Sequence, residues 1–128
     1  MPIRILLVDD EKAILDSLAE ILQSAGYEVR SASSGLEALD KTAQFCPNVL
    51  LTDVLMPGLN GFELALLVKQ KCPDCRLLLF SGQAATAMLA QSFAPTFTAL
   101  GHRFELLPKP LHPEALLLKL EQSLTSAA

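Results

Sequence analysis

Five side chains of this sequence have the types and the spacing to do chemistry together: Asp9, Asp10, Asp53, Ser81 and Lys109. Each comes at or just after the end of a short apolar run, residues 3–8, 49–52, 76–80 and 104–107 in turn. If those runs are neighbouring strands of one parallel sheet, three carboxylates, a hydroxyl and an ammonium converge on one rim. The carboxylates repel one another there, and a hard cation with oxygen ligands such as Mg²⁺ relieves that repulsion. Mg²⁺ keeps several waters and pairs readily with phosphate oxygens, and the ammonium of Lys109 complements a phosphoryl group on the same site. The chemistry that fits is phosphoryl transfer with an aspartate as nucleophile and positive charge clamped around the transferred group. Each residue alone has a plainer reading. Asp9-Asp10-Glu11 can cap a helix, Asp53 can open a turn, Ser81-Gly82 can be an ordinary loop, and Lys109 an ordinary solvated lysine. Four strand ends carrying complementary chemistry are hard to obtain from chance loop composition.

The elements that must position these groups are read from periodicity. Ile14, Leu18, Ile21, Leu22 and Ala25 recur at helical spacing, with Gly26 as the stop. Residues 27–32 form a short, partly polar strand suited to an edge. Leu36, Leu39 and Ala43 mark a short helix that ends before Pro47, and residues 62–71 a third helix. Leu89, Phe93, Phe97 and Leu100 keep a helical stripe in which Pro95 is expected to kink or break the helix. Pro113 opens a last helix carrying Leu116, Leu117, Leu120 and Leu124. Five β-α units in succession imply an α/β fold, a parallel sheet with helices on both faces and right-handed crossovers. Ligands of such sheets bind beyond the carboxyl ends of the strands.

Composition narrows the function. The 128 residues, about half of them hydrophobic (51%), suit one domain with one filled interior. A net charge of −4 without a Lys/Arg cluster argues against direct nucleic-acid binding. No apolar run reaches the roughly 18 residues of a membrane span, and the N-terminus lacks the pattern of a secretory signal, so a cytoplasmic protein is expected. The three cysteines, Cys46, Cys72 and Cys75, are an odd number suited to reduced thiols. Cys72-Pro-Asp-Cys75 matches C-x-x-C, but it precedes a strand instead of opening a helix, and neither His102 nor His112 completes a zinc set. Ordinary turn and core cysteines are expected.

Asp9-Asp10 after the first strand, Asp53 followed by Val-Leu-Met-Pro-Gly-Leu-Asn-Gly, then Ser81 and Lys109-Pro110 resemble the receiver domain of two-component response regulators. The resemblance covers nearly the whole chain, with a receiver domain over residues 1–124 and a tail over 125–128. It implies a flavodoxin-like, doubly wound five-stranded sheet of order 2-1-3-4-5. It further implies that Asp53 accepts a phosphoryl group from a sensor histidine kinase or phosphotransfer protein. Asp10 and Asp53 would bind Mg²⁺ directly, Asp9 through water, and the backbone carbonyl of Leu55 would complete the protein ligands. Ser81 would hydrogen-bond the phosphoryl group, Lys109 would pair with it, and Lys109-Pro110 would be a cis peptide, which an X-Pro bond tolerates. Leu55 and Gln83 would flank the path of the attacking water and set the phosphate lifetime. A signalling domain that is not itself an enzyme follows, a monomer or weak dimer with a downstream protein partner, standing alone or cut from a larger regulator.

Two features depart from the family pattern. Leu106 stands where a switch aromatic is usual, and the stretch from Ser81 to Lys109 is lengthened and contains Pro95. Phe104, two residues before Leu106 in a strand, shares its face about 6.6 Å further from Ser81, too far for a direct substitute. An aspartate-nucleophile hydrolase would need a second acid where Leu55 stands. A flavin protein would need a Ser/Thr-rich phosphate loop after the first strand, and a P-loop nucleotidase needs a motif absent here. The alternative that survives is a degenerate receiver acting as a phosphorylation-independent interaction module.

Overall fold

The computed structural model describes residues 2–82, 84–109 and 112–125, with nothing to be said of the side chains of residues 84 and 85. In chain order the elements are β1 (Arg4–Val8), α1 (Lys12–Ser24), β2 (Glu28–Ala32), α2 (Gly35–Lys41), β3 (Val49–Asp53), α3 (Gly61–Lys71), β4 (Arg76–Ser81), α4 (Ala84–Ala99), β5 (Glu105–Pro108) and α5 (Pro113–Thr125). The five strands form one parallel sheet in the order β2-β1-β3-β4-β5, the doubly wound order that the family resemblance implies.

The central strands are apolar throughout because both faces of the sheet are covered. Side chains alternate between faces along a strand. Ile5 and Leu7 of β1, Val49 and Leu51 of β3, and Leu78 and Phe80 of β4 meet Leu15 and Leu22 of α1 and Leu116 and Leu120 of α5. Leu6 and Val8, Leu50, and Leu77 and Leu79 face α2, α3 and α4. The edge strands are mixed, as expected for β2, where Arg30 is exposed.

Local signals fix the helix ends near the site. Gly26 takes a positive φ of 98° beyond α1, where Tyr27 N–H closes back on the Leu22 carbonyl at 3.2 Å. Asn60 caps α3: it accepts from Glu63 N–H at 2.9 Å while Glu63 accepts from Asn60 N–H at 2.9 Å. The acidic run before α1, by contrast, does not cap it, since Glu11 occupies the N-cap without a side-chain cap bond.

Two expectations need correction. Pro95 does not break α4, which runs 16 residues with the proline inside it. Proline denies the helix one N–H bond, but aromatic packing holds both sides of the gap. Phe93 stacks on Phe62 at 5.5 Å, and Phe97 meets the rings of Phe62 and Phe104 at 6.2 and 4.8 Å. Leu100, expected on the buried stripe, lies past the helix end and is exposed. The cysteines are the second correction. Cys46 and Cys72 form a disulfide, and Cys75 is the free, buried thiol. The pair is 26 residues apart in sequence, yet β3 begins beside the point where α3 ends. That brings the two Cα atoms to 5.8 Å, inside the usual range for a bridge. The C-x-x-C pair itself is not bonded. Residues 126–128 of the expected tail lie outside the described residues, while Thr125 is the last residue of α5.

α3 packs against the end of β3 at Gly61, where no side chain fits. A Cβ there would meet the Asp53 carbonyl oxygen at 2.5 Å and Val54 Cα at 2.9 Å, both backbone, and Gly61 N–H donates to the Val54 carbonyl at 2.8 Å. Gly61→Ala should therefore destabilise the protein by roughly 1–3 kcal/mol, the range for overpacking a tight site. Chemical denaturation should show a lower midpoint with an unchanged slope.

Candidate functional site

The C-terminal ends of β1, β3, β4 and β5 bring the acids and the lysine together. Register does the alignment: Val8 lies beside Thr52, Asp53 beside Phe80, and Ser81 beside Pro108. Asp9 follows β1 and is almost completely buried, with 1% of its surface exposed. Its Oδ1 accepts the Glu11 N–H at 2.9 Å. Its Oδ2 is buried without a hydrogen-bond partner. Asp10 is exposed beside it. Asp53 closes β3 with Oδ1 accepting the Val54 N–H at 3.0 Å, and Thr52 Oγ1 donates to its carbonyl at 2.9 Å.

Lys109 reaches in from beyond β5. Its Nζ lies 3.1 Å from Asp53 Oδ2 and 3.6 Å from Asp9 Oδ2. The Lys109 N–H donates to the Ser81 carbonyl at 3.0 Å, and its stem passes close to Gly82, where a Cβ would meet Lys109 Cβ at 3.1 Å. Burial works against the ammonium, but the hydrogen bond and charge of Asp53, aided by Asp9, outweigh it and raise the Lys109 pKa above its ordinary value. Burial pushes the Asp9 carboxyl up, against the Glu11 N–H and Lys109, which favour its charged form.

One oxygen from each of Asp9, Asp10 and Asp53 lies within 4.8 Å of the others, a donor set that could hold a metal ion. The chemistry fits a hard cation: all three donors are carboxylates, and Asp9 carries a buried oxygen, Oδ2, without a hydrogen-bond partner. Asp10 and Asp53 open onto a cleft of ≈ 580 Å³ whose lining also includes Leu55, Gly82, Thr86 and Lys109. Ser81 closes β4, half-buried, and is not among the cleft-lining residues. Gln83 and Pro110 lie outside the described residues, so the readings of Gln83 and of a cis Lys109-Pro110 peptide have no structural counterpart.

Sequence reasoning missed Thr86, a buried polar residue in the first turn of α4 that lines this cleft. A threonine at a helix start carries no mark of such a role. It also missed the apolar wall from α1, Ile14 and Leu18, whose spacing reads equally well as core. Phe104, set aside as a replacement switch, is held in the ring cluster with Phe62 and Phe97 at 5.2 and 4.8 Å. Leu106 is exposed on the edge strand.

The model of the response regulator receiver domain family matches residues 5–121. The chain is 32% identical to the response regulator receiver protein CpdR of Brucella abortus over 124 residues, 97% of this chain and 98% of that protein. It is 39% identical over 83 residues to the response regulator MprA of Mycobacterium sp. (strain KMS), which covers 65% of this chain but only 36% of MprA's length. Among solved structures it is similar to a CheY-like receiver domain protein from Methanospirillum hungatei, with TM-score 0.82 and 31% identity over 97% of this chain and 94% of that one. The chemotaxis protein CheY4 of Vibrio cholerae is similarly related, with TM-score 0.79 and 30% identity over 96% and 99% of the two chains.

The raised pKa of Asp9 has a consequence for stability. A carboxyl whose folded pKa exceeds its unfolded value contributes most below the unfolded value, and that contribution is lost as pH rises through the folded pKa. At neutral pH the buried carboxylate is therefore a cost. Asp9→Asn should raise the melting temperature of the metal-free protein at pH 7. The gain should shrink towards zero as the pH is lowered to the ordinary carboxyl value of 3.8, in melting curves recorded across that range with a chelator present.

Proposed function

Because the chain belongs to the response regulator receiver domain family, we propose that it is a phosphoacceptor in a two-component phosphorelay, with Asp53 as the acceptor. The donor would be a phosphohistidine on a sensor histidine kinase or a phosphotransfer protein, and the reaction would depend on Mg²⁺. The observation that carries this reading is the ammonium of Lys109 drawn between the carboxylates of Asp53 and Asp9, at 3.1 and 3.6 Å, beside a third acid at the mouth of one cleft.

Asp10 and Asp53, with Asp9 through water and the Leu55 carbonyl, would hold the Mg²⁺. When bound, that ion supplies positive charge that relieves the repulsion of the acids and neutralises phosphoryl oxygens. The residues of the chain do the rest. An oxygen of Asp53 forms the new bond to phosphorus as the donor's P–N bond breaks and the imidazole leaves with the bonding pair. Lys109, already paired with Asp53, meets the charge on the transferred group, and the Ser81 hydroxyl donates a hydrogen bond to it. Leu55 lines the cleft and offers no group to orient water, so hydrolysis of the aspartyl phosphate is slow. The chemistry begins and ends on Asp53, which makes residues 1–124 a signalling domain and not an enzyme with a turnover substrate. Among the described residues no helix is long and apolar enough to cross a membrane. Phe104 is packed among other rings and Leu106 has none. The change on phosphorylation therefore passes through the backbone after Ser81 and through α4 to a protein partner.

Incubation with acetyl phosphate and Mg²⁺ followed by intact-mass measurement tests the acceptor. The wild type should gain one phosphoryl group and Asp53→Asn none. A variant labelled as fully as the wild type would remove Asp53 from the role, and an unlabelled wild type would favour an interaction module that works without phosphate. The lifetime claim has its own test: Leu55→Asn should shorten the phosphoryl half-life severalfold, and an unchanged or longer half-life would count against water exclusion by Leu55.

A further inference from the structure

The Cys46–Cys72 disulfide lies at the opposite end of the sheet from the acids, where the loop entering β3 meets the C-terminus of α3. We propose that Cys46 and Cys72 form a reversible thiol–disulfide site, opened by dithiol reductants and closed by low-molecular-weight disulfides, without loss of the fold. The inference goes beyond phosphoryl transfer. It rests on the receiver reading only for its compartment: a domain that meets its phosphodonor in the cytoplasm works among reduced thiols, where disulfides are mostly transient.

Three observations carry it. First, access is asymmetric, because Cys46 is exposed while Cys72 is buried. Second, each of the two segments is held in place by hydrogen bonds of its own, independent of the bridge. Asn48 N–H donates to the Arg4 carbonyl at 2.8 Å, Arg4 N–H donates to Asn48 Oδ1 at 2.8 Å, and Arg4 Nε donates to the Cys46 carbonyl at 2.8 Å. Arg76 N–H donates to the Asn48 carbonyl at 2.9 Å, which ties the loop before β3 to the start of β4. On the helix side Cys72 N–H donates to the Val68 carbonyl at 2.7 Å, and Lys69 Nζ binds the carbonyls of Pro73 and Cys75 at 2.8 and 2.7 Å. Reduction therefore leaves the two sulfurs facing each other, and reclosure needs no refolding. Third, the neighbouring thiol does not compete. Cys75 is buried among apolar side chains, and burial pushes its pKa up to about 12, so little thiolate exists to attack Cys72.

The exchange balances in two steps. A thiolate of the dithiol attacks the exposed Cys46 sulfur, and the S–S bond breaks with its electron pair going to Cys72, which takes up a proton. The second thiol of the reductant then attacks the mixed disulfide and leaves as part of the reductant's own disulfide, freeing Cys46 as a thiol. Two electrons and two protons pass from the dithiol to the protein. Oxidised glutathione runs the sequence in reverse, releasing two molecules of reduced glutathione.

The test equilibrates the folded protein in dithiothreitol buffers from fully reduced to fully oxidised, then denatures it in excess N-ethylmaleimide and counts labels by intact mass. The expected result is a smooth change from three labels to one as the oxidised share rises, with Cys75→Ser changing from two to none and Cys46→Ser fixed at two. Far-ultraviolet circular dichroism should be the same at both ends. One label across the whole range would make the bridge a fixed structural staple and overturn the proposal. Three labels throughout, or loss of helical signal on reduction, would overturn it as well. The count reads thiols alone, so Asp53→Asn should give the same transition, and failure here is separable from failure of phosphorylation.

Discussion

A single ammonium shared by two buried or half-buried carboxylates is the constraint around which this site is built. Lys109 Nζ is 3.1 Å from Asp53 and 3.6 Å from Asp9, with side-chain exposures of 26%, 14% and 1%. In water such pairs contribute little, but at a partly buried rim they are screened less and the cost of an unpaired charge grows. One lysine does not suffice for three acids. Three acids face one ammonium, and Asp9 Oδ2 has no hydrogen bond. The arrangement is an electrostatic debt that a divalent cation would cancel.

The rest of the fold keeps that rim in place. Parallel register sets the ends of β1, β3 and β4 level with one another, and the apolar central strands allow no slip without turning their side chains to the wrong face. α3 is pinned to the end of β3 by the absent side chain of Gly61 and by the reciprocal cap of Asn60 and Glu63. Lys109 is fixed at its backbone by the Ser81 carbonyl, so its position follows the ends of β4 and β5.

Much of this was legible in the sequence, for a physical reason. Strands buried on both faces must be continuous apolar runs, and a polar residue ending such a run stands out; Asp9, Asp53 and Lys109, marked in this way, lie together in the structure, while Ser81, marked likewise, does not line the cleft. What escaped depends on distance in space. Cys46 and Cys72 meet only because β3 and α3 return the chain to the same place, and spacing pointed instead to the unbonded Cys72–Cys75 pair. Pro95 carries a strong local signal against a helix, but Phe93 and Phe97 override it by packing on Phe62. Thr86 joins the cleft lining only through the fold, which lays the first turn of α4 against it.

The central claim is that the excess negative charge of Asp9, Asp10 and Asp53 makes a divalent-cation site, with Asp10 a direct ligand. Calorimetric titration of the unphosphorylated protein with Mg²⁺ tests it most directly. The account predicts saturable binding of one ion in the wild type, a large loss of affinity in Asp10→Ala and a smaller loss in Asp9→Ala. An Asp10→Ala protein that binds Mg²⁺ as tightly as the wild type, or a wild type that binds none at millimolar concentrations, would contradict it.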